Sequence, residues 1–145
     1  MKYRFIDEIL MLQTRDPAAI RVRKTFPVGD DGLSGPLGPD RVPNSLLLEL
    51  LAMTGGHLLF NRLEGRQLPL LLKVHECRFE TFARPGVALE ARASLHAVGA
   101  AAGGATMAEA SGEVVAGDVR VAAARLLFLC VSVPALDPAL FGDRV

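Results

Sequence analysis

Residues 45–60 read SLLLELLAMTGGHLLF, an almost unbroken apolar run. Apolar side chains would cover nearly the whole circumference of a helix formed by this run, which is the pattern of a helix enclosed by other elements. Pro43, Asn44 and Ser45 come directly before it, and Asn44 or Ser45 could cap the free amides of the first turn. The pattern predicts a buried helix over about residues 44–60.

The segments on both sides of this helix are strand-like. Residues 4–13 and 19–26 are separated by a turn-like break at Arg15, Asp16 and Pro17, which predicts a hairpin. Four further strands are predicted downstream, at residues 69–82, 87–98, 105–115 and 119–133. One long helix with about six strands indicates an α+β fold in which an antiparallel sheet curls around the helix.

A long loop joins the hairpin to the helix. Residues 28–44, VGDDGLSGPLGPDRVPN, are too rich in Gly, Pro and Asp for regular structure. Long loops within compact domains are often functional. We therefore expect part of the site to lie here.

Composition excludes several classes of function. Sixteen basic and sixteen acidic side chains cancel, and no Lys/Arg cluster is present, so nucleic-acid binding is not expected. No apolar run reaches the ~20 residues of a membrane span. The N-terminal residues lack a secretory signal pattern, so we expect a cytoplasmic protein. The 145 residues fit one domain, residues 1–145.

The two cysteines, Cys77 and Cys130, both lie in apolar strand-like segments, which is typical of reduced, buried thiols. No Cys/His spacing suited to metal ligands occurs. We predict no metal site and no cofactor.

Two longer segments resemble a known family. RFETFARPGVALEARASL, residues 78–95, and SGPLGPDRVPNSLLLELLA, residues 34–52, are similar to segments of the 3-hydroxyacyl-[acyl carrier protein] dehydratases, and FIDEI, residues 5–9, is similar to their opening strand. The resemblance implies the hot-dog fold, a curved antiparallel sheet of about six strands wrapped around one long buried helix. It also implies a homodimer whose sites lie between two subunits.

The family's catalytic residues carry over only in part. A loop histidine of the family removes the proton alpha to the thioester carbonyl, and an acid on the helix serves the departing hydroxyl. Glu49 matches the acid, whereas Gly35 or, with a one-residue shift, Pro36 stands where the histidine would be. Neither residue can accept a proton. The resemblance implies that the substrate-binding residues are Gly35, Pro36, Pro43, Asn44, Ser45 and Met53.

Glu49 is a candidate catalytic residue on physical grounds as well. A carboxylate in an apolar helix costs several kcal/mol to bury unless it is paired, and such groups concentrate at sites. The alternative is that Glu49 faces a wet dimer seam or pairs with an arginine such as Arg41. Asp40 is a second candidate base, although Pro39-Asp40-Arg41 is also ordinary turn chemistry.

The three histidines are weaker candidates. The pattern favours His57 as a residue of the helix end beside two glycines, His75 as an outward-facing strand residue, and His96 as a surface residue near a strand end.

The function hypothesis is a dehydratase-like protein that binds or processes an acyl thioester of acyl carrier protein or coenzyme A, in fatty acid or polyketide-type metabolism. Without the histidine it is expected to be weak or inactive as a dehydratase. One alternative is an acyl thioesterase that uses Glu49. Another is a non-catalytic subunit of a heteromeric dehydratase, paired with a hot-dog paralogue.

Overall fold

The computed structural model describes residues 5–29 and 40–132. The elements in chain order are β1 Glu8–Gln13, β2 Ala19–Thr25, α1 Asn44–Arg62, β3 Leu68–Phe79, β4 Ala88–Ala100, β5 Thr106–Ala116 and β6 Val119–Val131, with a short 3₁₀ turn at Ala102–Gly104. The hairpin, the helix and the four later strands were all predicted near these positions.

One curved antiparallel sheet holds the six strands in the order β1-β2-β4-β5-β6-β3. The chain crosses from one end of the sheet to the other between β2 and β3, and α1 lies within this crossing. The helix contacts β2, β3, β4, β5 and β6, so the sheet curls around it. The predicted α+β layout is confirmed.

The core forms between α1 and the inner face of the sheet. Leu47, Leu50, Leu51 and Leu58 of the helix are fully buried, and burying each such side chain stabilises the fold by roughly 1.5–3 kcal/mol. Gly112 of β5 permits close approach, because a Cβ there would lie 3.0 Å from the Leu51 side chain. The helix therefore rests directly on the middle of the sheet.

The helix is not enclosed on every side, contrary to the sequence-based expectation. Ser45, Glu49 and Met53 are exposed, and together they form a stripe at four-residue spacing. The apolar run predicted burial all round because leucines flank this stripe, and two of them, Leu46 and Leu48, are only half-buried. One face of α1 therefore meets solvent within a single chain.

The predicted helix cap was also wrong. Pro43 occupies the N-cap position with φ −55° and ψ 140°, and no side chain caps the first turn. Asn44 is already the first helical residue, so neither its side chain nor that of Ser45 is at the capping position.

β3 is an edge strand with two bulges. It pairs only with β6, and the register gains one residue at Leu72 and one at Glu76. Glu76 has a φ of 37°, a left-handed conformation that some bulges contain. Each bulge reverses the side-chain alternation along the strand, so Leu71 and Lys73 face opposite sides of the sheet.

Within residues 5–29 and 40–132, no helix combines the length and apolar character that crossing a membrane would need.

Candidate functional site

A cavity of about 340 Å³ opens between α1 and β3. This volume lies in the range of small-molecule sites, and most of the lining is apolar. The lining residues are Glu49, Ala52, Met53, Gly56, His57 and Phe60 of the helix, Leu68, Pro69 and Leu71 of β3, and Phe128 of β6. The helical members recur at intervals of three and four residues, which places them on one face of α1.

Glu49 lies on the wall of this cavity and is exposed rather than buried. The expectation of a costly buried carboxylate was therefore wrong for a single chain. Among the described residues Glu49 takes part in none of the ion pairs, and Arg41 instead places its guanidinium over the ring of Phe82, at 4.1 Å. The arrangement gives the apolar cavity a carboxylate that water can reach.

His57 lines the same cavity, about two helical turns after Glu49. Its Nδ1 lies 3.1 Å from the backbone oxygen of Met53. A carbonyl oxygen only accepts, so Nδ1 is the donor in this contact. His57 follows Glu49 by eight residues, about 12 Å along the helix axis, so the two side chains occupy different parts of the cavity.

The sequence favoured His57 as a helix-end residue, whereas the helix continues to Arg62 and brings His57 to the cavity wall. The signal that could have revealed this wall is the spacing of small residues. Ala52 and Gly56 lie between Glu49 and Phe60 at three- and four-residue steps. Because their side chains are small, they leave a groove on one face of the helix.

The two helical glycines differ in their surroundings. A Cβ on Gly55 would lie 3.1 Å from the ring of Phe128, whereas a Cβ on Gly56 would meet nothing within 4 Å. Gly55 thus lets the helix approach the aromatic ring that forms the cavity floor, and Gly56 faces open space in the cavity.

Of the other predicted site residues that the structure describes, Met53 lines the cavity and the rest do not. Asp40 is exposed in a turn, which agrees with ordinary turn chemistry. Pro43, Asn44 and Ser45 lie at the helix start, on the far side of Glu49 from the cavity residues. Gly35 and Pro36 lie outside the described residues.

A larger concavity, about 550 Å³, lies on the opposite face of the sheet, and several of its arginines form ion pairs with carboxylates. Arg92 pairs with Glu90 and Glu113, and Arg125 pairs with Glu109. The first of these pairings, the hydrogen bond to Glu90, raises the pKa of Arg92. We regard this face as a solvated ion-pair surface.

Two further polar pairs lie on exposed parts of the sheet. The His96 ring bonds the Ser111 hydroxyl, and His96 is exposed as predicted. Arg120 donates to Glu80 at 2.6 Å, and this hydrogen bond is the main reason that the pKa of Glu80 is lowered.

The cysteines are free thiols, with Cys130 buried and Cys77 half-buried. Burial raises the pKa of both. Within the described ranges no group of three or more histidine, cysteine or acidic side chains is arranged to hold a metal ion.

Solved structures with the same architecture identify the fold. The chain is similar to a hot-dog-like protein from Thermanaerovibrio acidaminovorans, with a TM-score of 0.67 and 14% identity over 86% of this chain and 89% of that one. It is similar to a Streptococcus mutans protein bound to acetyl CoA, with a TM-score of 0.66 and 10% identity over 86% and 88%. A thioesterase from Haemophilus influenzae matches with a TM-score of 0.63 and 15% identity over 83% and 77%.

These likenesses establish the hot-dog fold and leave the finer resemblance to the dehydratases without structural support. No family model matches the sequence, and no curated protein matches it.

Proposed function

We propose that this protein hydrolyses acyl thioesters, with the acyl chain in the cavity between α1 and β3 and Glu49 as the general base. One observation carries the proposal. Glu49 is a water-accessible carboxylate on the wall of an otherwise mostly apolar cavity. Hydrolysis of an acyl thioester by an activated water uses these two features side by side, an apolar place for the chain and a base that reaches water.

The reaction follows from the chemistry of the carboxylate. Glu49 accepts a proton from a water molecule as the water oxygen attacks the thioester carbonyl carbon. The C–S bond then breaks, the proton passes to the departing sulfur, and a carboxylic acid and a free thiol are released. Glu49 ends as the carboxylate it was at the start, so no other reactant is consumed.

Hydrolysis fits the site better than dehydration does. Removal of water from a 3-hydroxyacyl thioester needs a base at the alpha carbon, and neither Gly35 nor Pro36 can act as one. Similar solved structures include a thioesterase and a protein with bound acetyl CoA. By this proposal the substrate is an acyl thioester of coenzyme A or of acyl carrier protein, and the protein acts as a homodimer.

The test is a rate assay on acyl-coenzyme A substrates of increasing chain length, followed by loss of the thioester ultraviolet absorbance. Glu49→Gln keeps the shape and removes the base, so the rate should fall by ~10²–10⁴-fold. Asp118→Asn, at an exposed turn, is the matched control and should leave the rate unchanged. Equal rates for Glu49→Gln and wild type would exclude the proposed base.

A hydration assay distinguishes the two chemistries. We expect 2-enoyl thioesters to be hydrated at least about a hundredfold more slowly than by a histidine-bearing dehydratase assayed beside this protein. Comparable hydration rates would instead support the dehydratase hypothesis. The candidate base would then be Asp40, tested by Asp40→Asn. Tight thioester binding without either reaction would favour a non-catalytic subunit.

A further inference from the structure

Two arginine side chains converge on one aromatic ring near the start of α1. The guanidinium carbon of Arg41 lies 4.1 Å from the centroid of the Phe82 ring, and that of Arg84 lies 5.3 Å from the same centroid. Phe82 is 37% exposed and both arginines are exposed. We call these three residues the Arg41–Phe82–Arg84 cluster.

The backbone fixes the place of this cluster. The amide of Val42 donates to the carbonyl oxygen of Ala83 at 2.9 Å, which ties the segment before the helix to the segment after β3. The cluster therefore stands at the N-terminal end of α1. The first turn has no acidic residue and no side-chain cap, so the positive end of the helix dipole adds to the two guanidinium charges.

The two guanidinium groups of the cluster differ from several arginines of the sheet, which pair with carboxylates. Arg92, Arg120 and Arg125 all bond carboxylates. Within the described residues Arg41 and Arg84 take part in none of the ion pairs, although the exposed Asp40 is adjacent in sequence.

Stacking on Phe82 leaves these two arginines able to bind an anion. A guanidinium stacks through its face, while its five N–H donors lie in its plane and point outward. The ring thus holds each group in position without using its hydrogen bonds. Two pre-positioned guanidinium groups match phosphate oxygens, which accept paired N–H bonds.

We propose that the Arg41–Phe82–Arg84 cluster binds phosphate groups on the pantetheine arm of the acyl carrier. This inference rests on the proposed function, because it assigns the other end of the same substrate. Glu49 follows the first helical residue by five positions, about 7.5 Å along the axis. A carrier anchored by phosphate at the cluster would run along the exposed stripe of α1, with its thioester at Glu49 and its acyl chain in the cavity.

The experiment compares substrates with and without phosphate. The double variant Arg41→Gln/Arg84→Gln should raise KM for acyl-coenzyme A about tenfold or more, since hydrogen bonds to charged groups are lost. Its kcat, and its KM for the same acyl group on N-acetylcysteamine, which has no phosphate, should stay unchanged. Arg15→Gln/Arg66→Gln removes the same charge from exposed positions and should change neither KM.

An acyl carrier protein substrate identifies the source of the phosphate. If the double variant raises KM for both the carrier-protein and the coenzyme A substrate, the cluster binds the phosphate that both arms contain. If KM rises for coenzyme A alone, the cluster binds the nucleotide phosphates of coenzyme A. An unchanged KM for acyl-coenzyme A overturns the inference. So does an equal loss with N-acetylcysteamine thioesters, which would mean that the arginines only shield Phe82.

Binding tests the cluster directly, with or without hydrolysis. Calorimetric titration with coenzyme A and with pantetheine then replaces the kinetics. Tighter binding of coenzyme A by wild type than by Arg41→Gln/Arg84→Gln supports the cluster even if the proposed function fails. Equal binding by both proteins overturns it.

Discussion

Gly55 of the helix lies so close to Phe128 of β6 that a Cβ added to the glycine would stand 3.1 Å from the ring. The ring is almost fully buried and lines the cavity. The missing side chain at position 55 therefore sets how closely the helix approaches the sheet, and so sets the depth of the cavity.

The two neighbouring glycines should respond oppositely to alanine. Gly56→Ala should stabilise the protein by about 1 kcal/mol, because alanine is the better helix former and the added Cβ meets nothing. Gly55→Ala should not stabilise the protein, because its Cβ would displace the Phe128 ring, and such overpacking costs ~1–3 kcal/mol. Urea denaturation of both variants measures the difference. Equal stabilisation by the two changes would contradict the packing described here.

Filling the cavity from Gly56 should change the preferred substrate. Gly56→Leu places a side chain in the space that the acyl chain is proposed to occupy. Each excluded methylene costs about 0.8 kcal/mol, so losing room for two or three should lower kcat/KM for long acyl thioesters ~10–50-fold. Acetyl thioesters should be nearly unaffected. Asn61→Leu, exposed on the same helix, is the control, and an equal loss for all chain lengths would argue against an acyl cavity.

β3 should provide a dimer contact. Leu70, Leu71 and Leu72 are 45%, 41% and 55% exposed, beside a strand edge that has no partner within the described chain. Such an edge is commonly covered by a second copy. We expect light scattering to give the dimer mass, and Leu72→Lys to weaken association at least about tenfold, or 1.4 kcal/mol. Val119→Lys, at the exposed start of β6, should leave association unchanged, and a monomeric wild type would exclude this contact.

The thiols should be slow to react in the folded protein. Burial raises the pKa of Cys77 and Cys130, so the reactive thiolate forms only at higher pH than for an ordinary thiol. Each thiol has a higher pKa in the folded protein than in the unfolded chain. Its contribution to the free energy of unfolding is therefore fully present below the unfolded-state pKa and is lost as the pH rises through the folded-state pKa.

Alkylation of native and urea-unfolded protein between pH 7 and 10 tests this expectation. The native rate should keep rising at pH values where the unfolded rate has levelled off, with Cys130 slower than Cys77. Identical pH profiles in the two states would show that neither thiol is shielded.

Much of the fold follows from local patterns. The alternation of Val87, Leu89, Ala91, Ala93 and Leu95 with wetter residues predicts one core face along β4. Leu89, Ala91 and Ala93 are buried, whereas Leu95 is half-buried and Val87 is exposed. The helix was placed at residues 44–60 and runs from Asn44 to Arg62. These features depend on residues near in sequence, which is why the sequence alone predicts them.

The site depends on residues far apart in sequence, and it was predicted less well. Glu49 is a candidate catalytic residue from the sequence and that role stays a prediction, but its burial was predicted wrongly from the leucines beside it on the helix. Whether a helix face is covered depends on the positions of β3 and Phe128, and these positions cannot be predicted from the local sequence of the helix. The cavity wall at His57 and Leu71 was missed for the same reason.

The bulge at Leu72 inserts one residue into β3 that has no counterpart on β6. Deleting that residue would leave Leu71 opposite Phe128 and would keep the same cavity wall. Two chains with this fold can therefore differ by one residue here and still present equivalent surfaces. An ungapped sequence alignment of such chains would match inward-facing positions of one with outward-facing positions of the other. Equivalent residues of β3 are therefore better identified by structural superposition than by sequence alignment.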